Sequence, residues 1–294
     1  MDEPKVSVVI VSWNSWEFLP ACLDSILAQR GPSLGIIVVD NNSSDGTPQK
    51  LARLYPQVKM KVNPRNLGYA KACNQGMKES TGEFILLLNP DTVLHPQILH
   101  KMLDFLRTNP QTGAVGPQLL DVYGKVQPSC RRFPGYLTLI WELTGLSRVL
   151  PHCRIFGAWR MGDFDFQSTR EVDQPMASAL LVTRKAIEKL GLMDERFKMF
   201  FNDVDFCFRI KARGFKIFYL PEAMVTHHLG GSTSKRKGAM IFYSHLGFFR
   251  YLQKHHSKGF KFLLLLVSGI LLSIAALVRW TFLPFKILFG KRRN

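Results

Sequence analysis

The first candidates for chemistry in this 294-residue chain are acidic residues that close two apolar runs. Asp40 ends the run at residues 36–40, and Asp91 ends Asn89-Pro90-Asp91 after the run at residues 84–88. Runs rich in valine, isoleucine and leucine predict strands buried on both faces. In open sheets of such strands, ligands bind beyond the carboxyl ends. Both carboxylates would stand there, facing a ligand or a metal ion. Asp45-Gly46 lies in the dense turn signal of residues 41–47 and is expected to be turn chemistry.

A second group is Asn202-Asp203-Val204-Asp205 with Arg209. Carboxylates at a helix start are favoured by the macrodipole, which accounts for them without any function. Phe200 and Phe201 precede them, however, and a carboxylate at the edge of an apolar pocket can act as a general base. The third group is His227-His228-Leu229-Gly230-Gly231-Ser232. Neighbouring side chains on a strand point to opposite faces, so one histidine at most reaches a given ligand. It could bind a metal or touch a phosphate, and the glycines permit close backbone approach.

The elements that must position these groups alternate. Strands are expected at residues 6–12, 36–40, 58–62 and 84–88. Helices are expected near residues 16–27, 48–54, 67–78 and 96–107. This alternation predicts a mostly parallel sheet covered by helices. Residues 115–173 hold Gly, Pro and many aromatics and are expected to form a long excursion or lid. Strands return at 177–183 and 216–220, with helices at 185–189 and 203–213.

Cys22, Cys73, Cys130, Cys153 and Cys207 are odd in number and widely spaced, with no CxxC pair, so neither a zinc site nor a disulfide framework is expected. The N-terminus carries two acidic residues and a short apolar run, unlike a secretory signal. The net charge of +17 attracts phosphate groups on nucleic acid, anionic lipid or a small molecule. Its distribution favours a membrane surface. Lys254, Lys258 and Lys261 precede the uncharged run at residues 262–278, and Lys286, Lys291, Arg292 and Arg293 follow it. That run fits a spanning helix, or a helix–Pro284–helix element lying in one leaflet. The expected division is residues 1–255 for the catalytic domain and 256–294 for a membrane-associated segment.

In order, the motifs are Val8-Val9-Ile10-Val11-Ser12-Trp13-Asn14, Val38-Val39-Asp40-Asn41-Asn42-Ser43-Ser44-Asp45-Gly46-Thr47, Asn66-Leu67-Gly68-Tyr69-Ala70 with Asn74-Gln75-Gly76, Leu88-Asn89-Pro90-Asp91, residues 201–209, and residues 227–232. Over roughly residues 5–250 the chain resembles the family 2 inverting glycosyltransferases of GT-A fold, in their rhamnosyltransferase-like branch of bacterial surface polysaccharide synthesis. The resemblance implies an α/β fold with a Rossmann-like sheet and a nucleotide-sugar donor, dTDP-rhamnose first, bound at Ser12, Asn14, Asp40, Arg65, Asn66 and Asn89. It also implies Mg²⁺ or Mn²⁺ on Asp91 with His227, and Asp203 as the base. Asp205 and Arg209 are left as acceptor-site or supporting residues. Two departures stand out: Asn89 replaces the first acid of the metal motif, and Asn202 replaces the Glu beside the base. Mg²⁺ needs only one or two carboxylates, so Asp91 can suffice.

The expected acceptor is a polyprenyl-linked saccharide. The expected location is the cytoplasmic face of the bacterial inner membrane, where anchoring concentrates enzyme and acceptor. Competing classes fit less well. A nucleotidyltransferase wants a basic Gly-rich loop after the first strand, where this chain has Ser12-Trp13-Asn14-Ser15-Trp16. A non-catalytic nucleotide-sugar scaffold suits Asn89 and Asn202, but not retained Asp91, Asp203 and His227. A nucleic-acid binder has only the charge to recommend it, with no readout motif.

Overall fold

The computed structural model describes residues 5–228 and 237–282; the signals at Gly230, Gly231, Ser232 and Pro284 onward fall outside them. The first half alternates as β1 (Lys5–Ser12), α1 (Leu19–Leu27), β2 (Ser33–Asp40), α2 (Thr47–Leu54), β3 (Lys59–Val62), α3 (Tyr69–Glu79), β4 (Phe84–Leu88), a short β5 (Thr92–Leu94) and α4 (Ile98–Thr108). Strands pair in parallel in the order β3-β2-β1-β4. One face packs Val8, Ile10, Val38 and Leu86 against Leu19, Leu23, Leu51 and Leu103 of α1, α2 and α4. The other packs Val9, Val11, Val39 and Leu87 against Ala70, Cys73 and Met77 of α3. Burial on both faces is why β1, β2 and β4 carry few polar residues, whereas β3, at the sheet edge, carries Lys59 and Lys61. Their carboxyl ends form one edge, where Ser12 stands in register with Asp40.

The stretch expected to be an excursion begins instead with β6 (Thr112–Leu120), every residue of which is buried. Its glycines and Pro117 disguise a strand as a loop. Gly116 is there because Pro175 lies against it: a Cβ would stand 2.5 Å from the proline ring. Irregular chain does follow, with β7 (Val126–Gln127), β8 (Cys130–Arg131), α5 (Tyr136–Thr144), α6 (Leu146–Val149), β9 (Arg170–Glu171) and β10 (Gln174–Pro175). Then come β11 (Ala179–Thr183), α7 (Arg184–Leu190), α8 (Asn202–Ala212) and β12 (Lys216–His227). β12 runs past the expected end at Leu220, because a register shift between Leu220 and Met224 absorbs Pro221 and the strand resumes. The full sheet order is β3-β2-β1-β4-β11-β6-β12-β5, with β11 antiparallel to both its neighbours.

Two helices close the described chain, α9 (Lys237–His256) and α10 (Lys261–Thr281). Leu265 and Leu272 on one face of α10 pack on Phe248 and Leu252 of α9 and Leu139 of α5. The other faces of α10 are exposed and apolar, as at Leu263, Ile270 and Leu277. Among the described residues it is the one helix long and apolar enough to cross a membrane. All five cysteines are free thiols.

Candidate active site

At the carboxyl edge of the parallel strands, Asp40 is fully buried and accepts the backbone N–H (2.8 Å) and hydroxyl (2.6 Å) of Ser43. Ser12 shares a hydrogen bond with Ser15 at 2.8 Å. Asn14, at φ +50°, donates its N–H to Ser43 Oγ and accepts the Ser44 N–H at 2.7 Å, tying the first loop to the second. Asp45 keeps to the turn role expected of it, accepting the N–H groups of Trp16 and Thr47. Arg65 and Asn66 lie exposed on the loop before α3, where Asn66 accepts the Gly68 N–H. Beneath that loop, Asn63 joins Asn41 and Gln75 in a side-chain amide network.

Asp91 is 5% exposed, and its Oδ1 meets no hydrogen-bond donor among the described residues. Burial pushes its carboxyl up to about 6. His227, at the end of β12, places Nε2 at 3.7 Å from that oxygen. Burial, with His228 adding to it, lowers the imidazole to about 4, so it is neutral at neutral pH and the contact is not an ion pair. Gln127 Nε2 donates to the carbonyls of Leu120 and His227, which leaves its Oε1 facing Nδ1 at 3.2 Å. The network therefore assigns the proton to Nδ1 and a lone pair to Nε2. An orphaned carboxylate oxygen and an imidazole lone pair 3.7 Å apart can both reach one ion with bonds of about 2.0–2.1 Å. No group of three or more such ligands occurs among the described residues, so water and phosphate oxygens would fill the shell. Asn89 is turned from this pair to Ser178 Oγ at 3.4 Å, and Ser178 Oγ in turn meets His227 Nε2 at 3.3 Å.

Asp203 stands in the first turn of α8, half-buried, with Oδ2 accepting Gln174 Nε2 at 2.9 Å. Burial raises its pKa, partly offset by hydrogen bonds from Val204, Ala177 and Gln174. The helix starts at Phe201, a non-glycine residue at φ +66°. Such a conformation persists where packing over-determines it. Here Phe248 and Tyr251 of α9 press on the Phe201 ring, and a Cβ at Gly247 would lie 3.0 Å from it. Asn202 turns away to the Met199 carbonyl. Asp91 and Asp203 both lie close enough to Tyr69 for their charges to act on its phenol. The buried phenol of Tyr69 is raised well above its ordinary value by burial, with Cys73, Asp203 and Asp91 adding to it. Residues 174–178 join the two carboxylates, Gln174 touching Asp203 and Ser178 touching His227.

The family model described as glycosyl transferase family 2 matches residues 7–156. The chain belongs to that family. Among curated proteins it is 30% identical over 265 residues to an N-acetylglucosaminyl-diphospho-decaprenol L-rhamnosyltransferase of Mycobacterium tuberculosis, covering 85% of this chain and 84% of the relative. An O-antigen biosynthesis protein of Myxococcus xanthus is 27% identical over 81% of this chain and 18% of its own length. Among solved structures, a mannosyltransferase of Pyrobaculum calidifontis in complex with GDP-Man and Mn²⁺ matches with TM-score 0.58 at 18% identity, covering 100% of this chain and 77% of that one. S. aureus TarS in complex with UDP matches with TM-score 0.56 at 17% identity, over 84% and 65% of the two chains. The fold of this glycosyltransferase is accordingly GT-A.

Asp205 and Arg209, for which acceptor-site and supporting roles were both open, are engaged with each other and with α9. Asp205 is completely buried; Oδ2 accepts Arg209 Nε at 2.9 Å, and Oδ1 accepts Lys254 at 2.6 Å and His255 at 2.8 Å. Three cations surround this carboxylate, and none of its surface is exposed. Burial alone would raise this carboxyl, but His255, Lys254 and Arg209 outweigh it and hold it below the usual range. Arg209 also donates to the carbonyls of Leu190 and Leu192. The cluster bolts α9 to the helix that carries Asp203. Asp205→Ala is expected to destabilise the glycosyltransferase by about 3 kcal/mol at neutral pH, since it strands buried cations. A depressed folded-state pKa makes that contribution present above about pH 4 and lost as pH falls further. Wild-type and variant denaturation midpoints at pH 7 should differ clearly and converge in acid; equal midpoints at pH 7 would refute the role.

Gln127, Gln174 and Ser178 escaped the sequence analysis. All three sit in irregular chain, where neither periodicity nor a charge marks them.

Proposed function

We propose that this glycosyltransferase moves a sugar, rhamnose from dTDP-rhamnose as first candidate, onto a hydroxyl of a lipid-linked saccharide with inversion at the anomeric carbon. The observation that carries the reading is one raised carboxylate, Asp203, and a separate buried pair, Asp91 and His227, tied to the same segment through Gln174 and Ser178. The sugar and the acceptor class follow the name of the rhamnosyltransferase relative, which specifies L-rhamnose and N-acetylglucosaminyl-diphospho-decaprenol; the dTDP carrier follows the family resemblance.

In the reaction, Asp203 takes the proton of the acceptor hydroxyl. The freed oxygen forms its bond to the anomeric carbon from the face opposite the leaving group. The bond from that carbon to the diphosphate oxygen breaks, and the nucleoside diphosphate leaves with the electron pair. Gln174 holds Asp203 Oδ2, and Oδ1, which accepts the Val204 N–H, keeps a second lone pair for the acceptor hydroxyl. Asp40 would accept from the pyrimidine ring once its contacts with Ser43 open to admit the base, and Ser12 and Asn14 would border the nucleoside. A divalent ion, Mg²⁺ or Mn²⁺, held by Asp91 and His227 would supply neutralisation of the charge developing on the diphosphate. The apolar faces of α10 would lie in the inner membrane with the catalytic domain on the cytoplasmic side, where nucleotide sugars and envelope polysaccharide precursors meet.

The test is a donor screen on detergent-solubilised protein. Nucleoside diphosphate release is measured from dTDP-, UDP- and GDP-sugars with a lipid-linked acceptor extract, in Mg²⁺, Mn²⁺ or EDTA. Release from one donor, suppressed by EDTA and dependent on acceptor, is the expected result. Nucleotide binding without release from any donor would move the reading to a non-catalytic scaffold.

A further inference from the structure

Two diphosphates meet in the proposed reaction, and the Asp91–His227 pair provides for only one. The second belongs to the acceptor, whose sugar must reach Asp203 while its lipid stays in the membrane. The irregular chain between β6 and β10 connects those two places. Arg131 in β8 is the register partner of Gln174 in β10. Directly opposed residues share a face of the ribbon with Cβ atoms about 4.5–5.5 Å apart. Arg131 therefore neighbours the side chain that holds Asp203.

Its guanidinium is partly buried and held at one end only. Nη1 donates to the carbonyls of Pro128 (2.9 Å) and Cys130 (2.7 Å). Among the described residues no carboxylate pairs with it, and no acceptor meets Nε or Nη2. The arginines nearby differ: Arg132 pairs with Asp163 at 3.2 Å, and Arg160 makes a two-pronged pair with Glu142. A guanidinium fixed by two carbonyls, with its remaining edge unclaimed, suits a tetrahedral oxyanion group.

The chain leaving Arg131 leads to the apolar helix. Five residues on, the Tyr136 hydroxyl donates to the carbonyls of His256 and Lys261 at the α9–α10 junction. That span covers at most about 18 Å. The α5 helix that starts there exposes Leu137 and Ile140 and packs Leu139 on the α9–α10 pair. Apolar surface, Arg131 and Asp203 thus follow one another in the order of a lipid tail, its phosphates and its sugar.

We infer that Arg131 binds the diphosphate of a polyprenyl diphosphate-linked acceptor and so sets the acceptor sugar against Asp203. This rests on the function proposed above. The same group on the donor is the competing source of a diphosphate, and the experiment separates the two. The probes are N-acetylglucosaminyl diphosphate carrying a long alkyl chain and the matching alkyl glycoside without the diphosphate. Wild type, Arg131→Gln, Arg131→Lys and, as control, Arg132→Gln are compared for transfer, with melting temperatures to verify folding. Arg131→Gln should raise KM for the diphosphate probe about 10–100-fold, the loss of a charge-assisted pair. KM for the alkyl glycoside and for the donor should stay unchanged, and Arg131→Lys should recover part of the loss. An unchanged KM for the diphosphate probe overturns the inference. So does a raised donor KM with weaker inhibition by free nucleoside diphosphate, which would place the guanidinium on the donor. Should wild type transfer to neither probe, the proposed function fails, and calorimetric binding of the diphosphate probe to wild type and Arg131→Gln still decides the residue's role.

Discussion

Asp203→Asn is expected to lower kcat by about 10²–10⁴-fold, the usual worth of a positioned base, while nucleotide binding stays near wild type. The side chain touches neither the Asp40 loop nor Asp91, so the loss should fall on turnover alone. The pH profile adds a second reading. Burial raises the Asp203 pKa, and only the ionised form can take a proton. Activity should therefore fall on the acid side at a higher pH than an ordinary carboxylate near 3.8 would give. Gln174→Leu removes a donor to the ionised form and should move that limb higher still, without abolishing turnover. The measurements are kcat against pH for wild type and Gln174→Leu, with nucleotide titration calorimetry for Asp203→Asn. Turnover in Asp203→Asn within a few-fold of wild type would show that another group is the base.

The sequence made the parallel half of the sheet legible because burial on both faces leaves an uninterrupted apolar signature. Asp40 and Asp91 could be placed from that alone, since a carboxylate after such a run must lie at the strand's carboxyl end. The other half hid for identifiable reasons. In β6, Gly113, Gly116 and Pro117 resemble loop punctuation, yet Gly116 answers a neighbour's bulk rather than a turn. Pro221 masked the continuation of β12, and with it the strand geometry that brings His227 to Asp91. Asp203 and Asp205 looked alike because they are two residues apart. Two residues along a helix rotate about 200°, so one side chain faces the cleft and the other the Arg209–Lys254–His255 cluster. The contacts that engage Asp205 come from α9, far along the chain, and no local pattern could show them.

Asp91→Asn should make the metal-free protein more stable and the enzyme nearly inactive. In the folded chain the carboxylate has an orphaned buried oxygen, and burial pushes its pKa up to about 6, above the ordinary carboxylate range. A raised folded-state pKa means that native stability is highest below about pH 4. It is lost as pH rises through 6, and the ionised residue then destabilises the fold by about 3 kcal/mol. Asparagine carries no such charge. In EDTA at pH 8 the variant should melt several degrees above wild type, and the gap should close near pH 4. With Mn²⁺ and nucleoside diphosphate the order should reverse, because ligand that binds only the native state stabilises it in proportion to occupancy, and only wild type keeps both Asp91 and His227. Turnover should fall by about 10²-fold or more as several kcal/mol of charge neutralisation are lost. On this reading the same residue would weaken the empty fold and hold the reaction's charge, as expected of a site selected for function over stability. A variant that melts below wild type in EDTA would show that Asp91 makes a structural contact outweighing its burial. Unchanged stabilisation by Mn²⁺ would remove it from the metal site.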